Sequence, residues 1–275
     1  MEQVMDARLT DRIIEIVERA GAAIMDVYHT DFDVETKADE SPLTKADLAA
    51  HRIIAAGLAE LTPEIPLFSE ESEVPDFSVR CGWKRYWLVD PLDGTKEFVN
   101  RNDEFTVNIA LIDEHRPVFG VVGVPAQNIV YTGGEGLGAW RYDATGRTSI
   151  GGRSRDDRTP LVVVASRSHG GERLERYLDR LGDLFDRVER TPVGSSLKLC
   201  ILAEGRADLY PRLGPTSEWD IAAAHAVLAA AGGDVWAADG SPLAYNSKES
   251  VLNPEFIAVA DARYPWRERL PPVPE

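Results

Sequence analysis

The chain contains few of the residues that form disulfide frameworks or zinc sites. Only two of its 275 residues are cysteines, Cys81 and Cys200, and nothing in their spacing indicates a framework or a metal knuckle. Cys200 lies in an apolar run, which predicts a small buried side chain. Five histidines are present, but the chain has no His or Cys cluster of the kind that binds zinc. These absences argue against zinc as a cofactor.

The chain also lacks a basic stripe and a long apolar run. Its formal net charge is -16, from 30 Lys and Arg against 46 Asp and Glu. Nucleic acid polymers are bound mainly by Lys and Arg that neutralise phosphates, so we expect no such partner. No apolar run is long enough to cross a bilayer, and residues 1–6 do not resemble a signal peptide. We therefore expect a cytoplasmic protein, with peripheral association with the inner membrane left open.

The composition that is present, 44% hydrophobic and 28% charged residues, is that of an ordinary globular protein. Apolar residues at helical spacing predict helices at 4–28 and 44–61. Thr44 and Asp47 are predicted to form a capping box at the start of the second helix. Strand-like runs follow at 86–89, 105–112, 118–124, 129–132 and 137–142. The first half is therefore predicted to pack helices against a largely antiparallel sheet.

A second half is predicted to begin near residue 160. A segment rich in Gly, Arg and Asp, 147–160, is the boundary candidate, and it divides the chain into an N-terminal α+β half (1–150) and a C-terminal α/β half (151–275). Helices are predicted in the second half at 172–181, 195–204 and 219–231, and short strands at 161–165, 207–211, 235–237 and 256–260. The last helix is followed by two glycines, which is a common stop signal.

The most informative segment is 87–95, in which an apolar strand leads into Asp90 and Asp93 and then into Gly94 and Thr95. The two carboxylates can hold a hard cation. The backbone amides of Gly94 and Thr95, before a predicted helix start, can bind a phosphate. A simple turn is the alternative, since Asp, Pro and Gly are turn residues. It is the weaker one, because unpaired carboxylates beside a buried strand are costly.

Further acidic residues stand at the ends of other predicted elements. Glu70 and Glu71 follow a probable strand, and Asp47 and Asp220 lie in the first turns of two predicted helices. Carboxylates from several elements suit magnesium, which prefers oxygen ligands. Each residue also has a simpler interpretation. Asp47 and Asp220 could cap their helices, and Glu70 and Glu71 could belong to a solvated acidic face.

Three motifs in this order resemble one superfamily: Ser-Glu-Glu-Ser at 69–72, Asp-Pro-Leu-Asp-Gly-Thr at 90–95 and Trp-Asp at 219–220. The resemblance is to the lithium-sensitive, magnesium-dependent phosphatases, which include inositol monophosphatases, fructose-1,6-bisphosphatases and bisphosphate nucleotidases. It extends from Asp39 to about Pro254. Within the superfamily the chain most resembles the CysQ type of 3'(2'),5'-bisphosphate nucleotidase. The segments that distinguish this type are 93–98, 102–112, 166–169, 194–198 and 210–216.

The resemblance implies a layered α/β/α/β/α sandwich and a set of metal ligands. One magnesium ion would be held by Glu70, Asp90 and the backbone carbonyl of Leu92. A second ion would be held by Asp90, Asp93 and Asp220, and a third, looser ion could use Glu70. The resemblance also implies that Asp47 and Thr95 polarise the attacking water. Two or three magnesium ions are therefore expected.

The predicted reaction is hydrolysis of the 3'(2')-phosphate of adenosine 3'(2'),5'-bisphosphate to AMP and phosphate, by direct attack of water. No Cys or Ser resembles an activated nucleophile, so no phosphoenzyme is expected. A second phosphate needs a cationic receiver, and Lys198 and Arg212 are the candidates, with hydrogen bonds from Ser195 and Ser196. His169 is placed near the nucleoside.

Alternatives remain open at this stage. Lys198 could be a helix surface residue and His169 an exposed turn residue. The closest rival function is an inositol monophosphatase or sugar phosphatase of the same superfamily, because one fold and site can serve different substrates. A non-catalytic protein that binds divalent cations is the rival from another class. The chain is expected to be a monomer or homodimer with no obligate protein partner.

Overall fold

The computed structural model describes residues 5–30, 42–165 and 171–274, and in the second range it describes side chains from residue 44 onward. Two sheets and three layers of helices make up these ranges. The first sheet has seven strands in chain order: β1 (Leu67–Ser69), β2 (Arg85–Asp93), β3 (Thr106–Asp113), β4 (Arg116–Val124), β5 (Ile129–Gly134), β6 (Gly138–Asp143) and β7 (Gly146–Ile150). Only β1 and β2 pair in parallel, and the other neighbours are antiparallel. The prediction of a largely antiparallel sheet is confirmed.

Side chains of β3 alternate between two cores. Val107, Ile109 and Leu111 belong to a core on one face of the sheet, and Ala110 and Ile112 belong to the core on the other face. This is the period of two that a strand imposes when both of its faces are covered. The even-numbered residues of β3 therefore point towards the middle of the molecule.

Two long helices, α1 (Ala7–Tyr28) and α2 (Pro42–Leu61), pack on the outer face of the first sheet. Asp6 caps α1, because its carboxylate accepts a hydrogen bond from the backbone N–H of Leu9 at 2.8 Å. The capping box predicted at Thr44 is wrong. Helix α2 begins two residues earlier, at Pro42, so Thr44 lies inside the helix. Proline suits the first helical position because its missing N–H would have no partner there.

The middle layer consists of α6 (Leu197–Ala203) and α7 (Glu218–Ala230), which lie between the two sheets. Almost all of α7 is buried, which explains its Ala-rich sequence. The helix comes very close to the first sheet. A methyl group on Gly120 of β4 would overlap the carbonyl oxygen of Ala223, and one on Gly133 of β5 would lie 2.6 Å from the Cα of Val227. Glycine is therefore required on the sheet for this contact.

The second sheet has five strands in the order β11-β12-β10-β8-β9. They are β8 (Leu161–Ala165), β9 (Val188–Pro192), β10 (Leu209–Arg212), β11 (Asp234–Ala237) and β12 (Phe256–Val259). Helices α5 (Gly171–Leu184) and α8 (Trp266–Arg269) cover its outer face. The sequence of layers is helix, sheet, helix, sheet, helix. The α+β class and the layered sandwich are confirmed.

Several short elements differ from the prediction. Strands β7 and β9 and helices α3 (Phe77–Arg80), α4 (Thr95–Val99) and α8 are each four or five residues long. Of these only the start of α4 was predicted. The chain leaves the first sheet at Ile150 and enters the second at Leu161. The division of the chain into halves at residue 150 stays a prediction.

Cys200 is buried and Cys81 is exposed, and neither forms a disulfide. Burial of Cys200 agrees with its prediction as a small core side chain. Among the described helices, none is both long enough and apolar enough to span a bilayer.

Gly120→Ala tests the close contact between α7 and the first sheet. Because the added methyl group has no space beside Ala223, we expect the free energy of unfolding to fall by about 2–3 kcal/mol. Gly182→Ala on α5 is the matched control, since a methyl group there meets no atom within 4 Å. Urea denaturation should show the control unchanged or stabilised by up to about 1 kcal/mol. Equal stability of the two variants would contradict the packing described here.

Candidate active site

The two carboxylates of β2 share one face of the sheet because the strand contains a bulge. Asp90 pairs with Asn108 and Asp93 pairs with Thr106, so the register shifts by one residue between them. Residues three apart in a regular strand point to opposite faces, but the extra residue returns Asp93 to the face of Asp90. Pro91 lies inside the bulge, where its missing N–H costs no ladder hydrogen bond. Strand β2 is therefore longer than predicted and carries both carboxylates itself.

The chain turns sharply after the bulge. Gly94 has φ of +96°, and α4 begins at Thr95. A methyl group on Gly94 would also lie 3.2 Å from the Cα of Phe105 and from the Cβ of Ser195. The predicted sequence of strand, turn and helix start is confirmed. The alternative of a simple solvent-facing turn is not, because Asp90 is fully buried and its Oδ1 accepts the N–H of Leu92 at 3.0 Å.

A cavity of about 340 Å³ opens beside this turn. It is lined by residues from both sheets and from the middle helices. The predicted site residues that line it are Glu70, Asp90, Leu92, Asp93, Gly94, Thr95, Ser195, Ser196, Lys198, Arg212 and Asp220. Segments far apart in the sequence are thus brought to one place, as the predicted site requires.

The acidic residues of the cavity raise one another's pKa values. Burial raises the pKa of Asp93 to about 7, and Asp220 adds to the shift. The pKa of Asp90 lies well above its ordinary value, from burial first and then from Asp93 and Glu70. The pKa of Glu70 is also raised, by burial first and then by repulsion from Asp93 and Glu71. Glu70 follows β1 and is exposed towards the cavity. Such a group of carboxylates favours a cation, which would relieve both the burial cost and the repulsion.

The carboxylates share a cavity without forming a closed shell. Over residues 5–30, 42–165 and 171–274, no three His, Cys, Asp or Glu side chains already stand as a group able to hold a metal ion. The donor set nevertheless fits magnesium. The cavity lining offers carboxylate oxygens and hydroxyls and contains no His or Cys, and magnesium prefers hard oxygen ligands and keeps several waters.

Asp47 does not lie in the first turn of α2, where the sequence predicted it. Because α2 begins at Pro42, Asp47 is the sixth residue of the helix and cannot cap it. Its Oδ1 is buried without a hydrogen-bond partner. Burial, followed by repulsion from Glu71 and Glu70, raises the pKa of Asp47 to about 8. Asp47 is therefore within electrostatic reach of the acidic cluster, although it does not line the cavity. Helix α2 also packs on α4, which begins at Thr95.

Asp220 both caps its helix and lines the cavity, so both interpretations of the sequence hold for it. It lies in the first turn of α7, and its Oδ2 accepts the backbone N–H of Ser217 at 2.9 Å. It also lines the cavity, and burial raises its pKa to about 6. Capping occupies one carboxylate oxygen, so capping and cation binding are compatible.

Two cations, Lys198 and Arg212, line the same cavity as the acidic residues. Lys198 is only 6% exposed, so the alternative of a helix surface residue is wrong. Its Nζ donates to the carbonyl oxygen of Ser195 at 2.6 Å, and burial lowers its pKa to about 8. Arg212 donates from Nη2 to the carbonyl oxygen of Pro215 at 2.7 Å, and its Nε is buried without a partner. Both cations are thus held by protein carbonyls at the edge of the cavity.

Some cavity residues were not predicted individually. Lys96, Glu97, Tyr210 and Thr216 line the same space. They lie in the segments 93–98 and 210–216, so the motifs carried a signal for the segments but not for these side chains. His169, predicted beside the nucleoside, lies outside the described residues.

The chain is similar to curated proteins of one family. The profile of the inositol monophosphatase family matches residues 5–266. The 3'(2'),5'-bisphosphate nucleotidase CysQ of Escherichia coli (strain K12) is 52% identical over 250 residues, which cover 90% of this chain and 98% of the relative. The protein of the same name from Salmonella typhimurium is 50% identical, with the same coverage.

Solved structures give the same result. The crystal structure of CysQ from Bacteroides thetaiotaomicron, described as a bacterial member of the inositol monophosphatase family, matches with a TM-score of 0.83 and 41% identity over 92% of this chain and 97% of that one. Mycobacterium tuberculosis SuhB matches with a TM-score of 0.70 and 28% identity over 92% of this chain and 91% of that one.

The raised pKa of Asp93 predicts the pH dependence of stability without metal. A carboxylate with a pKa of about 7 in the folded state binds its proton more tightly there than in the unfolded chain. Its stabilising contribution is therefore complete at low pH and is lost as the pH rises towards 7. In EDTA, we expect Asp93→Asn to stabilise the chain by about 2 kcal/mol more at pH 8 than at pH 5.

Chemical denaturation at the two pH values measures this difference. Asp179→Asn, which changes an exposed aspartate of α5, is the matched control and should give no such difference. Magnesium should stabilise the unsubstituted protein more than Asp93→Asn. A pH dependence that Asp93→Asn leaves unaltered would mean that the cluster is not destabilised by its own charge.

Proposed function

The chain belongs to the inositol monophosphatase family, and on that premise we propose that it is a magnesium-dependent phosphomonoesterase. The proposed reaction removes the 3'(2')-phosphate of adenosine 3'(2'),5'-bisphosphate and gives AMP and phosphate. The observation that carries the proposal is the cavity itself, in which four predicted metal-ligand residues with carboxylate side chains and two anchored cations line the same space. The names of relatives that are 50% and 52% identical support the choice of substrate.

In this proposal the carboxylate edge holds the magnesium ions. Glu70, Asp90 and the carbonyl of Leu92 form one set of ligands, and Asp90, Asp93 and Asp220 form the other, with Glu70 available to a third ion. When bound, magnesium makes water more acidic and neutralises charge on phosphoryl oxygens. The raised pKa values of Asp90 and Asp93 support these roles, because a nearby cation offsets the burial cost and the repulsion that cause them.

Asp47 and Thr95 are proposed to orient the attacking water and take its proton. Asp47 suits a proton acceptor because its Oδ1 is buried and lacks a partner. Its pKa of about 8 in the metal-free site comes from burial and repulsion, and neutralising Glu70 would bring it down towards the working range of a general base. The hydroxyl of Thr95, at the first position of α4, can pass a hydrogen bond between the water and Asp47.

The phosphoryl group would be received where the chain turns into α4. The backbone N–H groups of Gly94 and Thr95 are proposed to bind its oxygens, since the first N–H groups of a helix have no partners within the helix. The left-handed φ of Gly94 lets the chain make this turn at no steric cost. These donors would hold the phosphoryl oxygens in place and offset their negative charge during the transfer.

Lys198 and Arg212 are proposed to receive the second phosphate or the ribose side of the substrate, with Ser195 close by. Each cation is already held by a backbone carbonyl, so little ordering is needed when an anion arrives. The Nε–H of Arg212 has no partner and could donate a hydrogen bond to a phosphate oxygen. An inositol or sugar phosphatase remains the second candidate. The cytoplasmic location, the monomer or homodimer and the absence of a protein partner stay predictions.

Phosphate release from a panel of substrates tests the proposal. With magnesium we expect adenosine 3',5'-bisphosphate to give the highest kcat/KM, ahead of inositol 1-phosphate and fructose 1,6-bisphosphate. EDTA should abolish release, and so should Asp90→Asn, because both remove the cation from the carboxylate edge. Preference for inositol or sugar phosphate would overturn the substrate and keep the metal mechanism. Binding of magnesium without any phosphate release would favour the non-catalytic alternative.

Arg212→Met tests the receiver of the second phosphate. The variant keeps much of the side-chain volume but loses the charge, so kcat/KM for adenosine 3',5'-bisphosphate should fall by about 10- to 100-fold. Adenosine 3'-phosphate, which has no second phosphate, should lose much less. Arg206→Met is the control, since Arg206 is exposed and pairs with Glu204. Equal losses on both substrates would remove Arg212 from the second phosphate.

A further inference from the structure

Three buried polar side chains connect β3 to the start of α6 directly behind Asp93. The Oγ of Ser196 donates to the Oδ1 of Asn108 at 2.7 Å and lies 2.9 Å from the Oγ1 of Thr106. The Nδ2 of Asn108 donates to the Oγ1 of Thr106 at 3.3 Å. None of the three side chains is more than 1% exposed. We call these three residues the hydroxyl-amide triad.

The triad lies behind the carboxylate edge because of strand register. Thr106 and Asn108 are two residues apart and share a face of β3, and they pair with Asp93 and Asp90 across the bulge. The backbone N–H of Ser196 donates to the Oδ2 of Asp93 at 2.5 Å. The position of Ser196 is therefore fixed by the other two members of the triad, Thr106 and Asn108, and by the carboxylate of Asp93.

Ser196 also begins the segment that carries a cation of the cavity. It is the N-cap of α6 and stands two residues before Lys198, whose Nζ donates to the carbonyl oxygen of Ser195. The same turn is fixed once more where the N–H of Gly194 donates to the Oε2 of Glu104 at 2.7 Å. Any movement of Ser196 would thus change the distance between Asp93 and Lys198.

The hydrogen-bonding groups of the Ser196 side chain point inward. Its hydroxyl is shared between Asn108 and Thr106, and the residue is 1% exposed. This arrangement differs from the substrate contact that the sequence predicted for Ser196. A hydroxyl that already has two buried partners serves better to fix the geometry than to bind a ligand, because leaving either partner unpaired would be costly.

We propose that the hydroxyl-amide triad is a positioning device that sets the spacing between Asp93 of the carboxylate edge and Lys198. It thereby selects substrates whose two phosphates are separated by that spacing. The inference rests on the proposed function, since it concerns how the second phosphate is aligned. The three residues act through Asp93 and Lys198 and need not touch the substrate themselves.

Substrate selectivity tests the triad. For Ser196→Ala, Asn108→Ala and Thr106→Val, we expect kcat/KM for adenosine 3',5'-bisphosphate to fall about tenfold or more, because small displacements of a bound substrate strongly reduce rate. For adenosine 3'-phosphate, whose hydrolysis depends on Asp93 but needs no alignment of a second phosphate with Lys198, we expect a smaller loss. The ratio of kcat/KM for the bisphosphate to kcat/KM for the monophosphate should therefore fall in each variant.

Matched variants separate positioning from loss of folding. Thr106→Ser keeps the hydroxyl and should retain the ratio. Thr132→Val removes the hydroxyl of another buried threonine of the same sheet, on β5, and should also retain it. Circular dichroism and the midpoint of thermal unfolding show whether each variant is folded. The double variant Ser196→Ala with Asn108→Ala should lose no more selectivity than either single variant, because both break one network.

The outcomes are distinct. If the unsubstituted protein prefers the bisphosphate and the folded triad variants keep that preference, the triad does not set the spacing between Asp93 and Lys198, and the inference fails while the proposed function stands. If the unsubstituted protein has no such preference, the proposed substrate fails, and the inference fails with it because no second phosphate is aligned. A loss of selectivity in Thr132→Val as large as in Thr106→Val would also overturn the inference.

Discussion

The rest of the structure depends on the cost of burying several carboxylates at one edge of the first sheet, to which their mutual repulsion adds. Asp90 and Asp93 reach the same face through a one-residue bulge, and Glu70, Asp220 and Asp47 approach from separate elements. Their raised pKa values mean that the ionised cluster is unfavourable on its own. The surrounding fold must hold these groups together against that repulsion. Its close-packed middle layer, in which α7 lies against glycines of β4 and β5, provides the necessary rigidity.

Much of the fold could be predicted because local patterns agree with it. The helical periodicity of α1 and α2 and the apolar runs of the first sheet produce cores on both faces of that sheet. Strands β7 and β9 were missed because their residues are mostly polar and not buried, whereas equally short strands such as β8 and β12 have apolar runs. The start of α2 was misplaced because Thr44 offers a capping pattern inside a helix that begins at Pro42. A local signal cannot show that an earlier start is available.

The candidate site was predictable in its residues and much less in its geometry. The motifs named the carboxylates, but the bulge that places Asp90 and Asp93 on one face depends on the register with β3. Likewise, nothing in the local sequence shows that Lys198 is buried, since its burial comes from packing between α6 and the second sheet. Thr106 and Asn108, which are the partners of Ser196, lie about ninety residues away from it in the sequence. Contacts of this range are set by tertiary structure alone.

A chain with a net charge of -16 is an unexpected receptor for a polyanion, and the cavity shows how the conflict can be resolved locally. Glu70, Asp90, Asp93 and Asp220 line one cavity, where a divalent cation would reverse their sign. Lys198 and Arg212 line the same cavity and are held by carbonyl oxygens. Long-range repulsion from the surface is weakened by salt over about 10 Å, whereas these buried charges are screened much less. The local arrangement of charge therefore governs the affinity for phosphate, and the net charge of the chain does not.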